Sequence, residues 1–227
     1  MANLKEIRNR ISSIGSTMKI TSAMKMVSAA KLKKAQDAIV QMRPYSNKLS
    51  ELLQNLSATL DMEDGGAFTV QRGDDRVLLV AITSNRGLCG GFNSSIIKEV
   101  AHIASSKYAG KNVTVLTIGK KGNDILKKNF DIYRDEGEVF DDLTFENVAP
   151  IAEDLMDKFE SGEFDKIELV YNRFKNAATQ IITKEQFLPI VPAESGTETN
   201  TDYIFEPNKE EIVKGLIPKS LKIQLFK

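Results

Sequence analysis

Apolar residues in the first sixty positions recur at alternating steps of three and four. Leu4, Ile7, Ile11, Ile14 and Met18 open the series, Leu32, Ala35, Ile39 and Met42 resume it, and Leu49, Leu53, Leu56 and Leu60 close it. Such spacing is the heptad seam of a coiled coil and predicts one helix over residues 1–60. At 1.5 Å per residue that helix is roughly 85 Å long, several times an average globular helix. Asn3 followed by Glu6 resembles a capping box at its start, and Pro44 is expected to kink its later part because proline removes a helical hydrogen bond. The pattern therefore describes a rod.

The periodicity then changes. Residues 61–75, rich in acids and glycine, read as a linker. RVLLVAIT (76–83) and VTVLTIG (113–119) are unbroken apolar runs of the kind found in buried parallel strands. Between them, 94–107 carries helical spacing at Ile96, Ile97, Val100 and Ile103 or Ala104, which completes a βαβ unit. Further helices are expected at 122–129 and at 148–161, the latter with Ile151, Leu155 and Phe159 on one face. KIELVYNRF (166–174) and TQIITKEQFLPIV (179–191) read as strands joined by a short hairpin turn. The predicted fold class is α/β: a central Rossmann-like domain over 76–192, a loop over 193–207, and a last helix over 208–227. That helix starts at Pro207 and Asn208, has an apolar stripe at Ile212, Leu216 and Leu221, and is expected to kink at Pro218.

Charge divides along the same boundary. The 227-residue chain is formally neutral, but residues 1–60 hold ten basic and three acidic side chains while the remainder holds 21 basic and 28 acidic. A rod of charge +7 on a body of charge −7 points to an acidic partner around the rod, protein or nucleic acid. The single Cys89 excludes an intramolecular disulfide, and one His102 leaves little for a metal site, which fits a reducing compartment. No apolar run reaches membrane-spanning length, so membrane association is expected only through a partner.

Two strings stand out. In KITSAMKMVSAAKL (19–32) the heptad positions fall on Thr21, Lys25 and Ser28, poor seam residues, with small and flexible side chains beside them. That is either a weakened stretch or register stutter of a coiled coil, or a slim basic collar that contacts something other than a partner helix. In ITSNRGLCGGFN (82–93) an apolar strand runs through Gly87, Gly90 and Gly91 into a helix. A glycine loop at a helix start can cradle phosphate, but the spacing fits neither the dinucleotide nor the P-loop pattern. A tight surface turn accounts for it better. Cys89 would need a base to act as a nucleophile, and His102, near the apolar side of its helix, reads as structural. Glu138, Asp141 and Asp142 read as a solvated acidic patch.

Through KITSAMKMVSAAKL and ITSNRGLCGGFN, with RPYS (43–46) and YIFEPN (203–208), the whole chain resembles the γ subunits of bacterial F-type ATP synthases. The resemblance implies a long N-terminal helix, a Rossmann-like middle and a C-terminal helix wound antiparallel on the first. It implies a non-catalytic rotor shaft with no cofactor or metal, set inside a ring of α and β subunits and footed on the ε subunit and the membrane c-ring. Its place would be peripheral, on the cytoplasmic face of the plasma membrane. For contact with the acidic loop of β it points to Met24, Lys25, Lys31 and Lys33, and to Arg86, Gly87, Leu88 and Cys89. For the ε and c-ring foot it points to Tyr203, Ile204, Phe205 and Glu206. The family's last helix continues for several dozen residues, whereas this sequence stops at Lys227, so the first helix is expected to lack most of its partner. Two rival readings are a nucleotide-binding α/β enzyme and a basic coiled-coil module for nucleic acid. The latter lacks the interleaved aromatics of a single-strand binder.

Overall fold

A computed structural model describes residues 3–57, 67–176, 179–191 and 209–227. The chain divides into two units, residues 1–48 with Lys227, and residues 49–226. The first is most of helix α1, Leu4–Ser57, a helix of 54 residues that runs through Pro44. Its amino end is capped by Asn3, whose side-chain Oδ1 accepts from the Lys5 amide at 3.3 Å while its carbonyl accepts from Glu6 and Ile7. Of the expected seam, Leu4, Ile7, Ile11, Ile14 and Met18 are exposed.

The second unit is built on a five-stranded sheet. In chain order its elements are β1 (Arg76–Ile82), α2 (Phe92–Ser106), β2 (Asn112–Ile118), α3 (Lys120–Leu126), β3 (Asp131–Asp135), α4 (Phe145–Glu160), β4 (Lys166–Asn176), β5 (Thr179–Leu188) and α5 (Lys209–Phe226). The strand order is β3-β2-β1-β4-β5, with β1 to β4 mutually parallel and β5 antiparallel to β4. Strand β1 is the centre, paired residue for residue with β2 from Arg76↔Asn112 to Ile82↔Ile118 and with β4 from Val77↔Lys166 to Ala81↔Val170.

Successive β1 side chains point to opposite faces, and each face has its own core. Leu78 and Val80 pack with Leu116, Ile118, Ile167 and Leu169 under α4 and α5, where Ile151, Leu155, Phe159, Ile217, Leu221 and Leu225 are buried. Val77, Leu79 and Ala81 pack with Val115 and Val170 under α2 and α3, which supply Ile96, Val100, Ile103 and Leu126. Covering both faces is what makes the central strands read as unbroken apolar runs.

The amino edge of the sheet is fastened by polar contacts. Asp165, just before β4, grips Arg76 at the start of β1: its Oδ1 accepts from Nη2 at 2.7 Å, and its Oδ2 accepts from Nε at 3.1 Å and from the Arg76 amide at 3.0 Å. That guanidinium holds the Asp165 carboxyl below its usual range. Beside it the Tyr108 hydroxyl, at the end of α2, donates to buried Glu168 Oε1 at 2.6 Å, and Lys107 adds an ion pair at 2.5 Å. Burial and that carboxylate push the Tyr108 phenol far above its ordinary value.

Three features depart from the sequence-based expectations. Strand β3 sits where no strand is expected, because an edge strand of five residues with Asp131, Arg134 and Asp135 exposed has no apolar run to announce it. The second is the segment read as a linker, which is packed onto the sheet unit from Ala67 onward. Phe68 lies against the core and its carbonyl accepts from the Ile190 amide at 2.9 Å, while Arg72 caps the end of α4 by donating to the Phe159 and Glu160 carbonyls. The third is α5, whose apolar stripe keeps Leu216 and Leu221 at the core but extends to buried Ile217 and Leu225. Its predicted cap, Pro207 and Asn208, and the loop 193–207 lie outside the described residues.

Candidate partner-binding surfaces

The first surface is the middle of α1. Met24, Lys25, Lys31 and Lys33 are all exposed, and among the described residues the three lysines have no carboxylate partner. Around them Met18, Ile20, Met24, Met26 and Val27 are each exposed by more than half. At 3.6 residues per turn, these five side chains point at about 0°, 200°, 240°, 80° and 180° around the helix axis. The apolar surface is thus spread round the circumference instead of gathered in one stripe, the pattern of a helix meant to be enclosed. Two threonine hydroxyls in this stretch are satisfied by the helix itself. Thr17 Oγ1 donates to the Ser13 carbonyl at 3.0 Å and Thr21 Oγ1 to the Thr17 carbonyl at 2.9 Å, which satisfies each within its own turn.

The second surface is the loop between β1 and α2, at the carboxyl end of the central strand. Arg86, Gly87, Leu88 and Cys89 are exposed, and Leu88 most of all, with φ of 60°. The loop is tied at its base. Asn93, in the first turn of α2, accepts from the Ser84 amide at 2.9 Å and donates from Nδ2 to the Ser84 hydroxyl at 3.0 Å and the Arg86 carbonyl at 3.1 Å. Asn85 ties the loop to its neighbours, donating to the Gly137 carbonyl at 2.7 Å and accepting from the Lys120 amide at 2.9 Å. Sequence reasoning did not select Ser84, Asn85 or Asn93. Asparagine flanking a glycine loop is the signal that could have found them, since its amide readily mimics backbone partners.

Beneath the loop, β1 and β2 end in unusually close contact. Gly119 has φ of 121°, and a Cβ built on it would lie 2.3 Å from the Thr83 carbonyl oxygen. The Thr83 hydroxyl donates to the Gly119 carbonyl at 3.1 Å and accepts from the Gly122 amide at 2.9 Å. Cys89 is a free, exposed thiol, with Asn93 Nδ2 donating to its Sγ at 3.3 Å. His102 is exposed, contrary to its reading as a residue near the apolar side of α2, because it stands one position before Ile103 and so points well away from the Ile96–Val100–Ile103 stripe. Glu138, Asp141 and Asp142 are exposed. Tyr203, Ile204, Phe205 and Glu206 lie outside the described residues. Among the described residues no cluster of three or more His, Cys, Asp or Glu could hold a metal ion, and no helix is long and apolar enough to cross a membrane.

A family model described as ATP synthase matches residues 3–227. The ATP synthase gamma chain of Flavobacterium johnsoniae is 67% identical over 228 residues, covering 100% of this chain and 79% of that relative. The chain belongs to the ATP synthase gamma chain family. Its role is accordingly that of a rotor subunit. The gamma chain of Cytophaga hutchinsonii is 45% identical over 236 residues, again with all of this chain and 80% of the relative covered. Among solved structures, one chain of the central stalk and c-ring structure of the Tetrahymena thermophila mitochondrial ATP synthase superposes with a TM-score of 0.64 at 24% identity, covering 91% of this chain and 89% of that one. The likeness shows that this gamma chain shares the fold of that stalk.

Proposed function

We propose that this gamma chain is a non-catalytic central shaft that couples rotation to ATP synthesis in a ring of α and β subunits, with ε and the membrane c-ring at its foot. The observation that carries the reading is the circumferential apolar surface of α1 from Met18 to Val27, with Lys25 within it and Lys31 and Lys33 just beyond, all exposed and without a carboxylate partner among the described residues. A dimeric coiled coil needs one apolar seam, and a single-strand nucleic-acid binder needs phosphate-facing cations with aromatics interleaved, which this stretch lacks. A shaft turning inside a sleeve needs apolar contact at every angle, with cations placed to meet acidic groups in succession.

Chemically identical β subunits hold different nucleotide affinities only if something contacts each of them differently. A single charged helix has no threefold symmetry and so supplies that difference, and turning it carries each site through opening and closure. Met24, Lys25, Lys31 and Lys33 are the proposed collar toward β. Arg86, Gly87, Leu88 and Cys89 form a second proposed contact with the ring, and Tyr203, Ile204, Phe205 and Glu206 the proposed foot contact. Membrane attachment comes through the complex, on the cytoplasmic face.

The test is assembly. The chain is mixed with the α and β subunits of its own synthase, and the complex is isolated by size-exclusion chromatography. Co-elution is expected, and replacing Lys25, Lys31 and Lys33 together by Glu is expected to weaken assembly at low salt and less so at high salt. A chain that elutes alone, or a reversed-charge variant that assembles as tightly as the parent at every salt concentration, would refute the collar.

A further inference from the structure

We infer that the loop from Ser84 to Gly91 is a preorganised docking knuckle in which Leu88 is the apolar anchor for the ring while Asn93 and Asn85 are its positioning residues. The inference rests on the reading that this loop faces the α/β ring.

Leu88 combines two observations. It is the one non-glycine with positive φ among the described residues, a backbone region that leucine enters only under strain. Its exposure, 110% of the reference value, far exceeds the 67% of Ile14 and Met18, the next most exposed large apolar side chains. The side chain therefore gains nothing from its own fold, although glycines stand close by on both sides at 87, 90 and 91. Strain held at a residue with no internal contact points to a use outside the molecule.

The strain is maintained by the loop's base. Besides the bonds to Ser84, Arg86 and Cys89, Asn93 is helped by the Ser84 hydroxyl, which donates to the Arg86 carbonyl at 2.6 Å. The Phe92 amide closes the far side on the Cys89 carbonyl at 3.3 Å. Asn85 fixes the knuckle to the first residue of α3 and to the turn that follows β3. A loop ordered before binding meets the entropic cost of docking in advance. Leu88, with Arg86 exposed two residues away and bearing no ion pair among the described residues, fits a leucine-sized apolar socket with a carboxylate on its rim. The glycines let the loop's backbone lie close to that surface.

The experiment uses the full chain assembled with its α and β subunits, and native Cys89 reports contact. Alkylation of Cys89, followed by peptide mass spectrometry, is expected to slow at least tenfold on assembly. Leu88→Ala is expected to weaken binding about tenfold, chiefly through faster dissociation. Leu88→Gly is expected to do the same while raising the melting temperature of the free chain, because glycine removes the strain. Asn93→Ala leaves the anchor in place but loosens the loop. It is expected to speed amide exchange at residues 86–90 and to slow association, since fewer molecules hold the competent shape. Asn85→Ala provides the same signature if Asn93→Ala does not fold. Unchanged affinity of Leu88→Ala with Cys89 protected would overturn the anchor while leaving the contact. Equal alkylation of Cys89 in the free and assembled chain would overturn both.

Discussion

Substituting Gly119 by alanine tests whether the carboxyl ends of β1 and β2 are as tightly crossed as their geometry says. The added Cβ would stand 2.3 Å from the Thr83 carbonyl oxygen and 2.7 Å from its carbon, against an ordinary contact of 3.4 Å or more. The backbone must therefore part by about 1 Å, an overpacking of the kind that costs about 1–3 kcal/mol. About 1–3 kcal/mol more comes from placing an L residue at φ 121° and ψ 126°, a region that only glycine readily enters. Together these come to about 2–6 kcal/mol, a large share of a typical domain's stability. In urea, with a slope of about 2 kcal/mol/M, the unfolding midpoint falls by about 1–3 M.

The control is Gly110→Ala, which shares a positive φ, here 77°, but has open space around its Cβ. It carries only the conformational part, about 1–2 kcal/mol. A second comparison separates backbone from side chain. A Cβ on Gly122 meets the Thr83 side chain, 2.7 Å from Oγ1 and 3.0 Å from Cγ2, so Thr83→Ala in the same molecule should relieve it, with a coupling above about 1 kcal/mol. The Gly119→Ala clash with the Thr83 carbonyl remains in that background. If Gly119→Ala costs no more than Gly110→Ala, the close crossing is not a packing constraint and the reasoning fails.

Other outcomes follow from the same geometry. Asp165→Asn should lower the urea midpoint at pH 7, because it weakens the clamp on Arg76. The folded pKa of Asp165 lies below its unfolded value near 3.9, so its contribution is complete above about pH 4 and disappears as pH falls through the folded value. Parent and variant midpoints should therefore converge in acid, and a deficit that persists below both values would refute this account. Glu136 behaves oppositely: burial raises its carboxyl pKa, so Glu136→Gln should be relatively more favourable at pH 7 than at pH 4, measured as the change in midpoint between the two. Leu155→Ala, at a fully buried position in α4, should cost about 2–5 kcal/mol by thermal or urea unfolding without altering the exposed collar on α1.

What the sequence disclosed depended on how many residues shared the message. Strands β1 and β2 were legible because both of their faces are covered, so Val77 to Ala81 could only be apolar. Helix α4 showed itself through Ile151, Leu155 and Phe159, which are buried on one face. Strand β3 was not legible, since half-buried Ile132 and Tyr133 are its only apolar residues. Pairings between distant residues, such as Tyr108 with Glu168, exist only after the sheet has brought α2 against β4. At the candidate surfaces the residue types could be read, and the exposure of Met24, Lys25, Arg86 and Leu88 belongs to the structure. Nothing in a leucine's identity announces a left-handed backbone, and the tie from Asn85 to Gly137 crosses 52 positions.

The tied knuckle also has a mechanical side. A push on Leu88 would enter the domain through the Ser84–Asn93 bonds and reach β1, a strand with parallel partners on both flanks. Force drawn along that strand acts on two ladders at once, seven residue pairs with β2 and five with β4. Hydrogen bonds strained lengthwise in this way resist together, whereas bonds at the end of a hairpin open one after another. The loop is thus mounted on a line braced by two parallel ladders, and its tip yields least along the direction of β1.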